Sequence, residues 1–302
     1  MTRVFIAPVS FGLGDLVVSL PAAQALIDEG RRQGDETWLV ARSPSQALLA
    51  PRIAGLTGCV NEASVSASGS DDRFFDLRDH PLQRDFWWGS PAFADAFGSF
   101  NINEILSQIC ADLGIAADFS DPVPLDAHSR TELEGSVLLV TETDGPSKAW
   151  RSQRWATLAR WLDDAGVEVR QVTRSHARPE MAATGIPEVV ASTPGDAVDV
   201  LSSCRAVVGV DTGLTHIAVQ QGTPTLTICR HGSVYMRPWS HCRVLRGAPC
   251  TSECAEAEAA YAYNDRVSLR DFEPQTWTCP SRTNCLQHAG VERAVALLQE
   301  LL

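Results

Sequence analysis

Lysine is almost absent from this sequence. Only one of its 25 Lys and Arg residues is a lysine, at position 148 in a chain of 302 residues. The two residue types carry the same charge, but only lysine offers a compact ammonium group on a flexible stem. Because the composition uses arginine everywhere else, Lys148 is a candidate for a site that needs such a group.

Long apolar runs and an excess of positive charge are also missing. No run approaches the roughly 20 residues that cross a bilayer, and the opening stretch MTRVFIAPV lacks the pattern of a signal peptide. We therefore expect a cytoplasmic protein with no integral membrane segment. The 37 acidic residues give a formal net charge of −12. A negative surface repels phosphates, which argues against nucleic acid as a partner.

The nine cysteines are an odd number, so a disulfide framework cannot use all of them. Reduced thiols are typical of the cytosol. Four cysteines fall in residues 247–287, a stretch with little hydrophobic periodicity, and four thiolates suit a tetrahedral structural site for zinc or iron. Free buried thiols and disulfides are the alternatives. The candidate metal ligands are Cys250, Cys254, Cys279 and Cys285.

Strand and helix patterns alternate in two series, separated by a stretch at 120–136 that is richer in proline and polar residues. In the first series, strands are predicted at 4–9, 37–41 and 74–77, and helices at 16–30, 44–50 and 102–113. In the second, strands are predicted at 137–140, 167–173, 206–210 and 225–229, and helices at 154–165, 197–203 and 214–221.

Two such series predict an α/β protein with two Rossmann-like, doubly wound domains. Ligands of such domains bind at the carboxyl ends of the strands, here in the cleft between the domains. The predicted units are an N-terminal domain at 1–130, a C-terminal domain at 131–288 that includes the cysteine-rich segment, and a closing helix at 289–302.

The first polar motif, S-F-G-L-G-D at 10–15, lies between the first strand and a helix. Gly12 and Gly14 allow close approach of a ligand to the backbone, at a helix N-terminus that favours negative charge. Val17 replaces the third glycine of a dinucleotide-binding fingerprint, which weakens a dehydrogenase interpretation. Asp15 is either an acid that caps the helix or a carboxylate that faces the cleft.

The second motif, T-E-T-D-G-P-S-K-A-W at 141–150, follows a predicted strand of the second series. It contains Lys148, whose ammonium group can neutralise a diphosphate, and Thr143, whose hydroxyl can add a contact. The alternative is a solvated loop with one exposed charge.

The third motif, V-V-G-V-D-T-G-L-T-H-I-A at 207–218, leads from a buried strand directly into a helix. The first backbone N–H groups of that helix, at Thr212 and Gly213, form an anion cradle. Asp211 either caps the helix or takes part in the site, and His216 adds a polar group at the same end.

Together the three motifs resemble the ADP-heptose heptosyltransferases of glycosyltransferase family nine. The resemblance is carried by G-L-G-D at 12–15 followed by L-P-A at 20–22, by S-K-A-W at 147–150 with Trp155, and by G-V-D-T-G-L-T-H-I-A at 209–218. The family implies the GT-B fold. It also implies inverting transfer of a heptose or related sugar from a nucleotide diphosphate, ADP-heptose, to an acceptor hydroxyl in glycoconjugate or lipopolysaccharide biosynthesis.

The resemblance also implies roles for individual residues. Asp15 would deprotonate the acceptor hydroxyl and Lys148 would stabilise the leaving diphosphate. Thr212 and Gly213 would bind phosphate oxygens, while Asp211 and His216 would order that loop or touch the sugar. No D-x-D motif follows a strand, so the chemistry is expected to need no metal or other cofactor. The expected donor-binding set is Gly12, Gly14, Thr143, Asp211, Thr212, Gly213, His216 and Arg230.

Two further stretches supply candidate contacts, one for the donor and one for the acceptor. The stretch after the strand at 225–229 departs from the family pattern, and Arg230 would add a phosphate or sugar contact there. In D-L-R-D-H-P-L-Q-R-D-F-W-W at 76–88, polar side chains would hold an acceptor and an aromatic ring would stack on it. A partly buried aromatic loop is the alternative. The candidate acceptor residues are Arg78, His80, Arg84 and Trp88.

Three kinds of acceptor are compatible with the sequence: a lipopolysaccharide core, a protein serine and a small natural product. Some protein heptosyltransferases that the chain resembles hold iron in a cysteine-rich segment. Two other functions stay open, a non-catalytic sugar-nucleotide-binding protein and an NAD-dependent enzyme on a similar double Rossmann scaffold.

Overall fold

The chain folds around two parallel β-sheets, as the two alternating series predict. A computed structural model describes residues 2–67, 71–84, 101–143, 148–231, 233–248 and 285–302, together with Asp95. Within these ranges no helix is long and apolar enough to cross a membrane.

The first sheet has four parallel strands in the order β3-β2-β1-β4. β1 pairs on both sides, with Phe5 opposite Trp38 of β2 and Phe74 of β4. The central position of β1 explains why the loop after it, residues 8–12, lies at the middle of the carboxyl edge. The strands are β1 Arg3–Ala7, β2 Glu36–Ala41, β3 Gly58–Asn61 and β4 Arg73–Asp76.

The helices of this half begin at recognisable capping residues. Ser43 accepts a hydrogen bond from the backbone N of Gln46, and Asn101 forms a reciprocal capping box with Glu104. The predicted helix at 16–30 is instead two helices, which meet at Ser19. The helices are α1 Leu13–Val18, α2 Leu20–Gln33, α3 Pro44–Leu49, α4 Pro81–Arg84 and α5 Ile102–Asp112.

The second sheet has six parallel strands in the order β10-β9-β8-β5-β6-β7. Its three central strands are buried at every position, which is typical of a parallel sheet covered on both faces. The strands are β5 Val137–Val140, β6 Val169–Thr173, β7 Glu188–Val190, β8 Ala206–Val210, β9 Thr225–Cys229 and β10 Cys242–Arg246.

Five described helices accompany the second sheet. The first of them buries Trp155, Leu158 and Leu162 at helical spacing, and each buried side chain of this size contributes roughly 2–3 kcal/mol. The closing helix predicted at the end of the chain is present. The helices are α6 Ser152–Asp164, α7 Pro179–Ala182, α8 Pro194–Ser202, α9 Gly213–Gln220 and α10 Val291–Gln299.

The strands β3, β7 and β10 were not predicted. Each lies at an edge of its described sheet, and each leaves most of its residues partly or fully exposed. An edge strand needs no continuous apolar run, so hydrophobic periodicity gives little signal there.

A partly buried ion pair joins the two halves of the chain behind the linker. Arg52, just after α3, donates two hydrogen bonds to the carboxylate of Asp199 in α8, at 2.8 and 2.7 Å. The linker residue His128 donates its backbone N–H to the same carboxylate at 2.7 Å. Burial by itself would raise the pKa of Asp199, but the bonds from Arg52 and His128 outweigh it and hold the pKa below its ordinary value. The division at 130/131 stays a prediction.

We predict that Asp199→Asn lowers the free energy of unfolding at pH 7 by roughly 1–3 kcal/mol, because Arg52 loses its charged partner. A carboxyl group with a lowered folded-state pKa stabilises the fold above its unfolded value near 4 and loses that effect as the pH falls through the folded value. The difference between variant and wild type should therefore shrink below about pH 4.

Urea unfolding at pH 7 and at pH 3 measures this difference. Asp163→Asn, at an exposed position of α6, is the matched control and should differ little from wild type at either pH. A full-sized difference for Asp199→Asn that persists at pH 3 would contradict the assignment.

Candidate functional site

The N-terminal ends of two helices, α1 from the first half of the chain and α9 from the second, meet each other. A Cβ atom at Gly213, the first residue of α9, would lie 2.9 Å from the Cβ of Leu13 and 3.0 Å from the backbone N of Gly14 in α1. A Cβ atom at Gly14 would lie 3.0 Å from Cδ2 of His216. A Cβ atom at Gly213 would therefore displace part of α1, whereas one at Gly14 would press on the His216 ring. The glycine-containing motifs of the two halves meet at this point.

Asp211 is the centre of the polar groups at this junction. It follows β8 and is only 5% exposed. Its Oδ1 lies 3.1 Å from Nε2 of His216, and its Oδ2 accepts a hydrogen bond of 3.1 Å from the hydroxyl of Ser233. The ammonium nitrogen of Lys148 lies 3.4 Å from the same Oδ2. Both carboxylate oxygens are thus engaged by this chain's own side chains.

The environment of Asp211 keeps this carboxyl group ionised. Burial alone would raise its pKa, but the charge of Lys148 and the hydrogen bonds from His216 and Ser233 outweigh burial and hold the pKa far below its ordinary value. The side chain of Lys148 is one-third exposed. Asp211 therefore orients an ammonium group that still reaches solvent.

His216 lies on the other side of Asp211 and is 4% exposed. Burial lowers its pKa, and the nearby positive charges of Arg237 and Lys148 act in the same direction, against the effect of Asp211. The side chain is therefore neutral at pH 7. In this position its imidazole contacts the carboxylate of Asp211, and its role at the site stays a prediction.

Asp15 lies one residue beyond the glycine contact, in the first turn of α1. Its Oδ2 accepts the backbone N–H of Gly12 at 3.0 Å and so caps the helix. The side chain is half-buried. The capping interpretation of Asp15 thus describes this conformation, and its role as a base stays a prediction.

Three other residues expected to bind the donor each follow a strand of the second sheet: Thr143 follows β5, Thr212 follows β8 and Arg230 follows β9. Thr212 is the N-cap of α9 and accepts the backbone N–H of Leu214 at 3.2 Å. Thr143 is buried, and its carbonyl accepts a hydrogen bond of 3.0 Å from Arg178. Arg230 follows β9 and is half-buried. Their contacts with a donor stay predictions.

The residues expected to hold the acceptor lie after β4. Arg78 forms ion pairs with Glu62 at 2.9 Å and with Asp76 at 3.6 Å. His80 is 8% exposed. Its Nδ1 accepts the backbone N–H of Leu82, and its Nε2 lies 3.1 Å from Asp112. Both side chains therefore have partners within the chain in this conformation. The side chain of Arg84 and all of Trp88 lie outside the described residues.

The expected metal ligands Cys250, Cys254 and Cys279 also lie outside the described residues. Cys285 is half-buried and begins the short turn Cys285–His288. Its carbonyl accepts the backbone N–H of Ala248 at 3.2 Å, which brings the two ends of the cysteine-rich segment together. Among the residues that the structure does describe, no group of three or more His, Cys, Asp or Glu side chains is arranged to hold a metal.

Sequence reasoning missed Ser233 and Arg237. Both lie in the irregular stretch between β9 and β10, where no periodicity or glycine motif marks them. Their partners, Asp211 and His216, are 22 and 21 residues away in sequence. Only the tertiary structure brings them to the site.

Part of the sequence matches a known protein family. Residues 116–261, nearly half of the chain, match the model of glycosyltransferase family 9 (heptosyltransferase). This segment contains Lys148, Asp211 and Gly213. The matched segment is thus similar to glycosyltransferase family 9, the family that the motifs resemble. No curated protein matches it in sequence.

Solved structures extend the likeness over the whole chain. A family 9 glycosyl transferase from Veillonella parvula is 12% identical with a TM-score of 0.67, and the match covers 99% of this chain and 97% of that one. The E. coli heptosyltransferase WaaC with ADP is 14% identical with a TM-score of 0.63, over the full length of both chains.

A third match is also a glycosyltransferase. The iron-containing, dodecameric glycosyltransferase TibC of enterotoxigenic E. coli is 16% identical with a TM-score of 0.68, over 99% of this chain and 76% of that one. At such identities the matches establish the fold. The predicted α/β, GT-B architecture is confirmed.

The contact between the two helix starts predicts the effect of a single methyl group. In Gly213→Ala the new Cβ would meet the Leu13 side chain and the backbone of Gly14 at 3.0 Å or less, so α1 and α9 must move apart. We expect a loss of about 1–3 kcal/mol in the free energy of unfolding.

The matched control is Gly290→Ala at the start of α10, where the Cβ would meet only the end of the flexible Glu292 side chain. Denaturant unfolding compares the two variants. An equal loss of stability in both would show that the close approach at Gly213 is not the cause.

Proposed function

We propose that this chain is an inverting glycosyltransferase that moves a heptose or related sugar from a nucleoside diphosphate, ADP-heptose, to an acceptor hydroxyl. One observation carries the proposal: the only lysine of the chain lies beside Asp211 at the N-terminal end of α9. That combination offers a positioned ammonium group and helical N–H groups to an anion. The family of the matched segment supplies the reaction class.

In the proposed reaction an acceptor oxygen attacks the anomeric carbon, and the bond from that carbon to the diphosphate oxygen breaks. Negative charge grows on the leaving diphosphate. Lys148 and the start of α9 would stabilise this charge, and Asp211 would keep the ammonium group in place. A group held in advance at the position of developing charge needs no reorganisation during the step.

Asp15 would take the proton of the attacking hydroxyl. The hydrogen bond that Asp15 accepts from the backbone N–H of Gly12 holds its carboxylate in the first turn of α1, close to where α1 meets α9. General-base catalysis of this kind contributes about 10²–10⁴-fold in rate. Arg78, His80, Arg84 and Trp88 are proposed for the acceptor side. Binding there would require the Arg78 and His80 side chains to exchange their internal partners.

The remaining parts of the proposal rest on the sequence. The transfer itself is proposed to need no metal. The cysteines at 250, 254, 279 and 285 are proposed to hold a structural zinc or iron ion, and a cytoplasmic location is proposed for the protein. Two solved neighbours support the donor class, since one is WaaC with ADP and another is TibC in complex with ADP-D-β-D-heptose.

Lys148 provides the first test. Thermal-shift measurements with ADP, GDP, UDP and NAD should show preferential stabilisation by ADP. A ligand at 100 times its Kd stabilises by about 2.7 kcal/mol. Lys148→Ala should lose most of the ADP response, and Lys148→Arg should restore it only in part because the guanidinium is planar and larger.

Arg160→Ala, which removes an exposed cation from α6, is the control and should keep the full response. A response to NAD alone would overturn the transferase proposal. No response to any nucleotide would favour a different kind of ligand, and binding of ADP without transfer would favour the non-catalytic alternative.

Asp15 provides the second test. Asp15→Asn keeps an oxygen that can accept the Gly12 N–H but cannot take a proton. We expect ADP affinity within about twofold of wild type and a fall of about 10²-fold or more in kcat for transfer from ADP-heptose to a hydroxyl acceptor.

Calorimetry with ADP and release of ADP from ADP-heptose measure the two quantities. Asp28→Asn, on the exposed side of α2, is the control for the loss of one carboxylate. Unchanged turnover in Asp15→Asn would remove the base assignment while leaving the donor site in place.

A further inference from the structure

Arg237 is a buried cation in direct contact with His216. It is 4% exposed and lies between β9 and β10. Its Nη2 donates to the carbonyl of His216 at 3.0 Å and lies 3.4 Å from Nδ1 of the same residue. Its Nη1 donates to the side chain of Gln220 at 3.2 Å, and its guanidinium lies 5.1 Å from the ring centre of Trp239. These contacts fix the guanidinium relative to α9.

The contact decides which nitrogen of His216 carries the hydrogen. A guanidinium has only N–H donors, so Nδ1 of His216 must face it as an acceptor. The hydrogen then lies on Nε2, which donates to Oδ1 of Asp211 at 3.1 Å. The partners on both sides thus select one neutral tautomer.

The charged groups around His216 come from three loops. Asp211 follows β8, Lys148 follows β5 and Arg237 follows β9. The ring of Tyr235 lies 6.0 Å from the imidazole. Burial lowers the pKa of Arg237 to about 10, against the effects of Cys242 and Asp211, so it stays protonated at neutral pH. A second proton on His216 would point at this cation.

The ring also has little room to turn away. A cavity of about 10 Å³ lies next to His216, Tyr235 and Arg237, which is at most the space of one water molecule. The imidazole therefore cannot avoid the guanidinium by moving into a void.

We propose that Arg237 is a positioning residue: it holds His216 as the neutral Nε2–H tautomer, so that Asp211 receives one neutral hydrogen bond and keeps its ion pair with Lys148. Without Arg237, His216 can take a proton at Nδ1 and form its own ion pair with Asp211. The carboxylate would then be shared between two cations, and Lys148 would be held less firmly. The consequence for transfer rests on the proposed function, but the state of His216 does not.

The decisive measurement is the ¹⁵N chemical shifts of the imidazole in the free protein, followed from pH 5 to pH 8. His216→Gln identifies the signal among the seven histidines. In the wild type we expect the Nε2–H tautomer and no titration above pH 6. In Arg237→Met we expect the titration midpoint to rise by at least about one pH unit, because the adjacent positive charge is gone.

Arg237→Lys keeps the charge and should stay within about half a pH unit of wild type. A role in packing alone would affect both variants without this difference. If Arg237→Met fails to fold, the tautomer in the wild type still tests the proposal. A protonated His216 at pH 7, an Nδ1–H tautomer, or equal midpoints in wild type and Arg237→Met would overturn it.

A second readout separates this proposal from the proposed function. In Arg237→Met, kcat for transfer from ADP-heptose should fall about tenfold at pH 6 and recover as the pH rises and His216 becomes neutral. Arg237→Lys should keep the wild-type profile. If ADP does not bind at all, the proposed function fails while the imidazole shifts still report on His216. If transfer occurs but kcat of Arg237→Met shows no such pH dependence, the link from Arg237 to Lys148 is wrong.

Discussion

The two halves of the chain meet where the start of α1 packs against the start of α9. Gly14 and Gly213 lie in helices that accompany different sheets, and a Cβ atom at Gly213 would lie 2.9 Å from the Cβ of Leu13 and 3.0 Å from the backbone N of Gly14. This contact places the first turn of α1, which carries Asp15, against the start of α9, which directly follows Asp211 and Thr212. Two helix N-termini carry partial positive charge, and their meeting is unfavourable unless anions lie nearby. The carboxylates of Asp15 and Asp211 meet that requirement and are also the groups proposed to act in the reaction.

A buried carboxylate is costly unless its oxygens are paired, and the structure pairs those of Asp211 unequally. One oxygen receives a neutral donor, His216, and the other receives the hydroxyl of Ser233 and the ammonium group of Lys148. This asymmetry matters because the side chain of Lys148 is one-third exposed, whereas His216 is buried. A charged His216 would compete for the carboxylate, while the nearby Arg237 disfavours that charge. The burial of Arg237 has its own cost, since its Nε has no hydrogen-bond partner among the described residues.

The sequence predicts those parts of the fold and the site whose residues form a local pattern, and it does not predict contacts between residues that are distant in sequence. The strands β5, β8 and β9 were predicted to the residue because they are buried apolar runs with clear ends. The glycine-rich loops were found because close backbone approach leaves a local mark in the sequence. Arg237 and Ser233 leave no such mark, since their partners are more than 20 residues away and their stretch has no regular structure. The partners of His80 could not be predicted either: its ring nitrogens contact Leu82 and Asp112 in this conformation, and its contact with an acceptor stays a prediction.

The two halves of the chain touch at more than one point. Besides the contact between α1 and α9, the pair of Arg52 and Asp199 joins the end of α3 to α8, and the linker residue His128 binds the same carboxylate. Lys148, Asp211, His216 and Arg237 all belong to the second half, whereas Asp15 belongs to the first. The proposed base and the proposed diphosphate contacts therefore share one site only because the starts of α1 and α9 meet.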